Sequence, residues 1–548
     1  MRKLRKVAVL GLATAVAATV LVACGGGSSS SSGKEGGELN GTLTSFPDYL
    51  DPQLSYTLEG WEGISHVYIP LLTYQSGNGQ ESTKVVPGLA ESMPDISQDG
   101  KTYTFTLRKG MKYSDGTPIK ASDFPYAIQR LFKLDSGGAP FFENIVGAED
   151  YANGKADSIS GIKADDATGK ITVQLNDPSG TFLNEVALMF AAPVPQSTPL
   201  DKDTTSNPPP ASGPFMITNS DPPNSYTLEK NPQFKTVQAA GANLEDAHAD
   251  KITITQNKNQ SAQAQAVQNN QSDFMVDPPP ADLLPQIESQ NSDRFRFQDS
   301  INTYYFWMNT QKPPFDNLQV RQAVNYAIDP AALTRIFGGR LHATQQILPP
   351  GMPGYQEYKL YPGPDLNKAK ALIAQAHPSD MDITVWTDDE PDRKRIGAYY
   401  QDVLNSLGFH TTLKIIGGDV YFTTIGNLKT PDLDTGFGDW FQDYPHPNDF
   451  FEPLLSGDSI HPTNNNNYSQ VNIPELTNKI NELDTKQLSD PGVEDQYAAL
   501  DKSFMEQAVW APYGNEKFTT FTSDRINFDN VNFSLVFNLD YASLQLKG

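Results

Sequence analysis

Cys24 is the sole cysteine among 548 residues, and it stands directly behind an apolar run that follows a basic head. No intramolecular disulfide is possible, so burial alone must hold the fold together, which a chain of this length can achieve. The head contains Arg2, Lys3, Arg5 and Lys6, and residues 7–23 form the apolar stretch. A charged head, a short apolar segment and small residues at its end describe a secretory signal. The run is too short, and too poor in bulky residues near its end, for a membrane-spanning helix. We therefore expect a signal peptide at 1–23 and a body that folds outside the cytoplasm.

Behind Cys24, Ser28 to Ser32 lies between glycines, which reads as a flexible tether over 24–38. The remaining length suits roughly two to four domains. A hydrophobic fraction of 38% with 10% aromatics supports a sizeable core, so global disorder is excluded. Formal charge is −24, or −28 once the four basic residues of the signal are removed. Such a surface repels nucleic acid and anionic bilayers.

Period-two and helical patterns then place elements. Tyr103, Phe105 and Leu107 alternate with polar residues behind an Asp99-Gly100 turn, predicting a half-buried hairpin strand, and Asp115-Gly116 marks a second turn. The proline-, serine- and asparagine-rich stretch 196–225 reads as a boundary region. Residues 251–255 alternate as a strand, and 260–271 suit a polar-faced helix. Met381, Ile383 and Val385 alternate. Ile396, Tyr400, Val403, Leu404 and Leu407 recur at helical spacing, Gly408 closes the helix, and Phe409, Thr411, Leu413 and Ile415 alternate again. That strand, helix, strand unit makes at least one domain α/β. Asp365 is placed to cap a further helix, and Tyr497, Leu500, Phe504, Met505 and Ala508 mark another.

Catalytic spacings are missing from the sequence. It has no Gly-x-Ser-x-Gly elbow, no His-Glu-x-x-His zinc helix and no phosphate loop. Ser31-x-x-Lys34 sits in the tether, and no two of the seven histidines are spaced as helical metal ligands. We expect no enzyme, no cofactor and no bound metal.

Two resemblances add to this reading. Leu21-Val22-Ala23-Cys24, with glycines behind it, is similar to a bacterial lipobox, which implies cleavage before Cys24 and a lipid on its sulfur. The other reading is an ordinary signal with an isolated cysteine. Further on, Asp439-Trp440-Phe441-Gln442-Asp443-Tyr444-Pro445-His446-Pro447 resembles the Trp-x-x-Asp-Tyr-Pro-x-Pro stretch of the peptide/nickel class of solute-binding proteins of ABC importers. In order along the chain come Pro87-Gly88-Leu89-Ala90-Glu91-Ser92, Phe105-x-Leu107-Arg108-x-Gly110 with Ser114-Asp115-Gly116-Thr117-Pro118, Ser212-Gly213-Pro214-Phe215, and Arg321 to Asp329.

The resemblance implies an α/β, two-lobed clamshell of the periplasmic-binding-protein kind, with three domains. Domain I would comprise 39–69, 205–300 and 519–548, domain II would be an insertion at 70–204, and domain III, the second lobe, would run from 301 to 518. It also implies an extracytoplasmic receptor, lipid-anchored and monomeric, that closes on an oligopeptide and delivers it to a permease with its ATPase. A non-peptide solute on the same scaffold is the alternative, and a secreted hydrolase a more distant one.

In peptide-binding members, a peptide lies between strands of the two lobes. The corresponding positions are Tyr56, Leu58 and Glu59 within 56–60, and Gly438, Asp439, Trp440 and Phe441. Asp443 matches the aspartate that receives the peptide's ammonium, the competing reading being a turn-capping aspartate. Asp439 is the second candidate for the ammonium. The run Tyr304-Tyr305-Phe306-Trp307 is expected to be a buried strand with one exposed face, outside the site.

Overall fold

A computed structural model describes residues 33–548, so the signal, Cys24 and most of the tether lie outside the described residues. Two large hydrophobic cores organise the chain. One gathers residues from 39 to 276 and from 526 to 544, together with Tyr444; the other gathers 301 to 513 with Leu535. A small third cluster, including Val267, Ile287, Phe295 and Phe521, lies near where the chain crosses between them.

The first core packs around two sheets. In the five-stranded sheet, Glu38–Leu43 runs parallel to both Lys251–Gln256 and Phe274–Met275, and Ser225–Lys230 and Phe215–Asp221 extend it antiparallel. The four-stranded antiparallel sheet contains Thr102–Thr106, whose Tyr103 and Phe105 are buried as their alternation predicts. Gly100 and Gly116 adopt φ of +69° and +88° at the two predicted turns, a region open to glycine and costly for other residues. Gly213 is small for another reason, because a Cβ there would sit 2.3 Å from the His66 carbonyl oxygen.

Buried charge stitches the segment around residue 51 to the helix Asp123–Lys133. Arg130 donates to both Asp51 carboxylate oxygens, at 2.6 and 2.5 Å, and both side chains are fully buried. The remaining polar atoms are met by the Gln53 side chain, the Pro199 and Lys202 carbonyls, and the Thr204 amide and hydroxyl. A buried pair is tolerable only when satisfied in this way.

The second core surrounds a six-stranded sheet, ordered Leu341–Ala343, Trp510–Glu516, Asn302–Met308, Thr435–Phe441, Asp382–Asp388, His410–Ile416. The strand, helix, strand unit is present: Asp382–Asp388, the helix Pro391–Ser406, and His410–Ile416 in parallel pairing. Asp365 accepts the Lys368 amide at 2.9 Å as the expected cap, and Gly408 takes φ +104° after its helix.

One expectation fails here. Asn302–Met308 is buried at all seven positions, with no exposed face. It is an interior strand, paired along both edges and covered on both faces, so continuous apolar sequence replaces alternation. Tyr305 stacks on Trp510 (3.6 Å between centroids) and Phe306 on Tyr400 (3.8 Å). Such pairs add about 0.5–1.5 kcal/mol each beyond area burial.

Two antiparallel strands, Phe295–Gln298 and Phe518–Phe521, carry the chain between the cores side by side, in register from Phe295↔Phe521 to Gln298↔Phe518.

Candidate functional site

The strand Thr435–Phe441 pairs along its whole length with Asn302–Met308. On its other side it meets Asp382–Asp388 only at Thr435 and Gly436. From Phe437 to Phe441 that second edge has no strand beside it. The Tyr421 hydroxyl lies where the two strands part, 2.7 Å from the Phe437 carbonyl and 3.1 Å from that of Trp386. Just beyond the strand, the Gln442 amide donates to Ile301 at 3.2 Å, so even-numbered positions face the paired neighbour. By the period of an antiparallel ladder, the peptide groups of Asp439 and Phe441 face the open edge.

Gly438 is buried against Tyr305, whose ring would be 2.8 Å from an added Cβ. Trp440 and Phe441 are half-buried. Trp440 donates its indole N–H to Asp449 at 3.2 Å, and the same carboxylate oxygen accepts the Asp443 amide at 3.1 Å. Asp443 in turn accepts the Tyr56 hydroxyl at 2.9 Å. Tyr56, itself exposed, packs against Trp61, Phe141 and Phe190 of the other core, and Phe141 also meets Tyr444 edge-on. The lobes touch again where the Gln487 side-chain amide donates to the Ser179 carbonyl at 2.9 Å.

No lysine, arginine or histidine among the described residues lies within ion-pair distance of Asp443 or Asp449. Burial therefore pushes the Asp443 carboxyl up to about 7, with the Tyr56 hydrogen bond opposing. Burial, then the Asp443 charge, hold Asp449 well above the usual carboxylate range. A half-buried and a buried acid, six residues apart, thus lie together without a counter-ion. His446 is fully buried, and burial lowers it to about 3, so it stays neutral; its Nδ1 accepts the Asn448 amide at 3.1 Å.

Two expectations need correction. The segment 56–60 is not a strand: Leu58–Ile64 is a helix capped by Thr57, whose hydroxyl accepts the Gly60 amide at 3.2 Å. The Asp48 carboxylate takes the Tyr56 amide at 2.8 Å and the Thr57 hydroxyl at 3.0 Å. With its backbone bonded locally, this segment has no free ladder edge. Leu58 and Glu59 occupy the first helical turn, both half-buried.

Asp439, the second ammonium candidate, is already paired with a cation. Arg393 Nη2 lies 3.1 Å from its carboxylate, and the guanidinium stacks over Phe437 at 4.3 Å and Tyr304 at 4.8 Å. Burial raises Asp439 to about 6, against the pull of Arg393. Three contributors escaped sequence reasoning. Arg393 and Tyr421 come from distant segments, whereas Asp449 lies six residues after Asp443, within the motif's own neighbourhood.

Residues 84–461 match the bacterial extracellular solute-binding proteins, family 5 Middle. The chain belongs to this family. The matched span contains the open strand, Asp443 and Asp449, while Tyr56 precedes it. Dipeptide-binding protein DppE of Bacillus subtilis is 26% identical over 449 residues, 78% of each chain. Oligopeptide-binding protein OppA of the same species is 26% identical over 466 residues, covering 79% of this chain and 81% of that one. The solved structure of clavulanic acid biosynthesis oligopeptide binding protein 2 superposes with a TM-score of 0.87 at 25% identity, covering 94% and 96% of the two chains. This family 5 member is therefore a solute-binding protein with the clamshell architecture of its class. No helix among the described residues is long and apolar enough to cross a membrane.

Proposed function

We propose that this protein captures oligopeptides between its lobes and hands them, chemically intact, to an ABC importer. The observation that carries this is the unpaired edge at Phe437–Phe441, which leads directly to the cation-free carboxylate of Asp443. An extended peptide completes that edge with main-chain hydrogen bonds, which do not depend on side-chain identity. Its terminal ammonium then meets Asp443. Burying that ammonium without a partner costs several kcal/mol, and Asp443, ionising as the ammonium arrives, supplies the matching charge.

Asp443 takes the ammonium in this reading, with Asp449 beside it, and Trp440 and Phe441 flank the peptide. Tyr56 is the contact from the first lobe, and Leu58 and Glu59 stand next to it. Asp439 orients Arg393. Peptide-binding relatives support the ligand class. No nucleophile and base enter the scheme, so the receptor performs no catalysis.

The division into domain I (39–69, 205–300, 519–548), domain II (70–204) and domain III (301–518) belongs to the same reading. It is supported by the two cores and the paired strands between them, which serve as the hinge. Lipid attached at Cys24 holds the monomer to the membrane, since several acyl chains at about 0.8 kcal/mol per buried methylene anchor durably.

Mass spectrometry of solutes released from the purified protein tests the reading, together with titration calorimetry of those solutes. Intact peptides that rebind support it. Release of a non-peptide solute, or turnover of an added peptide, overturns it.

A further inference from the structure

The strand Thr435–Phe441 changes character along its length. Thr435 to Gly438 are buried, whereas Asp439, Trp440 and Phe441 are half-buried. The change falls where Tyr421 meets the strand. Tyr421 stands on the helix Gly418–Ile425, and with Ile425, four residues on, it forms the buried side of that helix. At the helix start, the Gly418 amide donates to the Asp389 carboxylate at 3.0 Å, which ties the helix to the end of Asp382–Asp388. The Tyr421 ring stacks on Phe437 with 6.0 Å between centroids, and its hydroxyl reaches a carbonyl on each of the two diverging strands.

One of those carbonyls is already full. Even-numbered peptide groups of Thr435–Phe441 face Asn302–Met308, so the Phe437 carbonyl faces the open edge with those of Asp439 and Phe441. It accepts the Tyr421 hydroxyl at 2.7 Å and the Trp307 indole N–H at 3.0 Å. A carbonyl oxygen has two lone pairs, and both are used. The indole can cross the strand because Gly436 has no side chain, since a Cβ there would lie 2.9 Å from the Trp307 ring. An added strand therefore meets two rungs, Phe441 and Asp439, before it reaches a closed position.

We propose that Tyr421 is a stop that confines main-chain recognition to the first three residues of the captured peptide. The proposal rests on peptide capture at this same edge and adds the ligand's length. With its ammonium at Asp443, just past the end of the strand, the peptide runs antiparallel to Thr435–Phe441. The two-residue period of the ladder sets its first residue opposite Phe441 and its third opposite Asp439. A fifth residue would fall opposite Phe437, whose carbonyl is occupied and whose flank Tyr421 covers. Residues beyond the third add no main-chain bond to this strand, and a longer peptide has to bend away from it. Length is thus read by a side chain that closes the ladder, and the receptor is suited to short peptides.

Titration calorimetry on the mature protein compares alanine peptides of two, three, four and five residues, each with a free amino end. Every length is measured with an amidated and with a free carboxyl end, the amidated set isolating the main chain. In that set, affinity is expected to rise about fivefold from two residues to three and then to stay within about threefold through five. Tyr421→Ala frees the Phe437 carbonyl and opens the gap, so the five-residue amide should then bind about fivefold more tightly than the three-residue one. Tyr421→Phe, which removes only the hydroxyl, is the second variant should the first fail to fold, with a gain of about twofold expected. A steady climb from two to five residues in the wild-type protein overturns the stop and leaves peptide capture standing. A length profile that neither substitution alters does the same. Binding of no peptide in either form overturns both.

Discussion

The Tyr56 hydroxyl donates to the Asp443 carboxylate at 2.9 Å, joining residues 387 positions apart that belong to opposite lobes. A phenol is a weak partner for a half-buried acid, and it stands where an ammonium would be a strong one. Asp443→Ala is accordingly expected to weaken binding of free-amino peptides by about 2–5 kcal/mol, thirtyfold or more. N-acetylated peptides, which bring no charge, should lose little. Calorimetry on matched pairs reads the difference, and equal losses would remove the ammonium role.

Asp443 also predicts proton release. Its carboxyl sits near 7 in the unliganded protein because it is buried. An incoming ammonium favours the ionised form and lowers that value, so protons leave on binding around neutral pH. Affinity for free-amino peptides is expected to fall as pH drops from about 8 to 5.5, by up to about tenfold per pH unit. Titrations in buffers of different ionisation enthalpy count the protons; a pH-independent affinity contradicts the assignment.

Stability should move in the opposite direction. Asp443 and Glu59 near 7, Glu185 near 8, and Asp123, Asp484 and Asp501 near 6 are all raised by burial. Each holds its proton more tightly folded than unfolded. Between about pH 4 and 8 the folded state therefore binds more protons, and stability falls as pH rises. His446, lowered to about 3, works against this below its ordinary value, but it is one group against six. Calorimetric scans of ligand-free protein are expected to give a Tm higher by about 3 °C or more at pH 5.5 than at pH 8.

The Asp51–Arg130 pair offers a purely structural test. Asp51→Ala leaves a guanidinium buried without its counter-ion and strands the Thr204 amide. A loss of about 3–5 kcal/mol in urea unfolding is expected, with little change in ligand affinity for whatever protein remains folded. A variant as stable as the parent would mean that the pair does not hold the helix Asp123–Lys133 in place.

Cys24→Ala tests the anchor. The substitution is expected to release the protein from the membrane fraction or to block its maturation, read by fractionation and intact mass. Unchanged retention would make the apolar segment itself the anchor.

Some of the site was legible in sequence and some was not, for identifiable reasons. The motif 439–447 located the open strand and Asp443 because neighbours in sequence remain neighbours along a strand and its turn. The helix at Leu58–Ile64 had a readable signature: Thr57 as a cap, and Leu58, Trp61 and Ile64 at helical spacing. A strand expected there by resemblance prevailed over that pattern. The pairing of Asp439 with Arg393 had no such signature, because 46 residues and a change of element separate them.

Sequence alone determined the absence of internal disulfides, the α/β character of the second lobe and its strand, helix, strand unit. Each of these follows from local chemistry or from a periodicity of two or 3.6 residues. Tertiary structure decided which acids remain uncompensated. Asp439 and Asp443 look alike four residues apart in one stretch, yet one meets a guanidinium and the other only a phenol from the far lobe. Charge balance in a cleft depends on segments hundreds of residues apart arriving at one place, and no local pattern encodes that arrival.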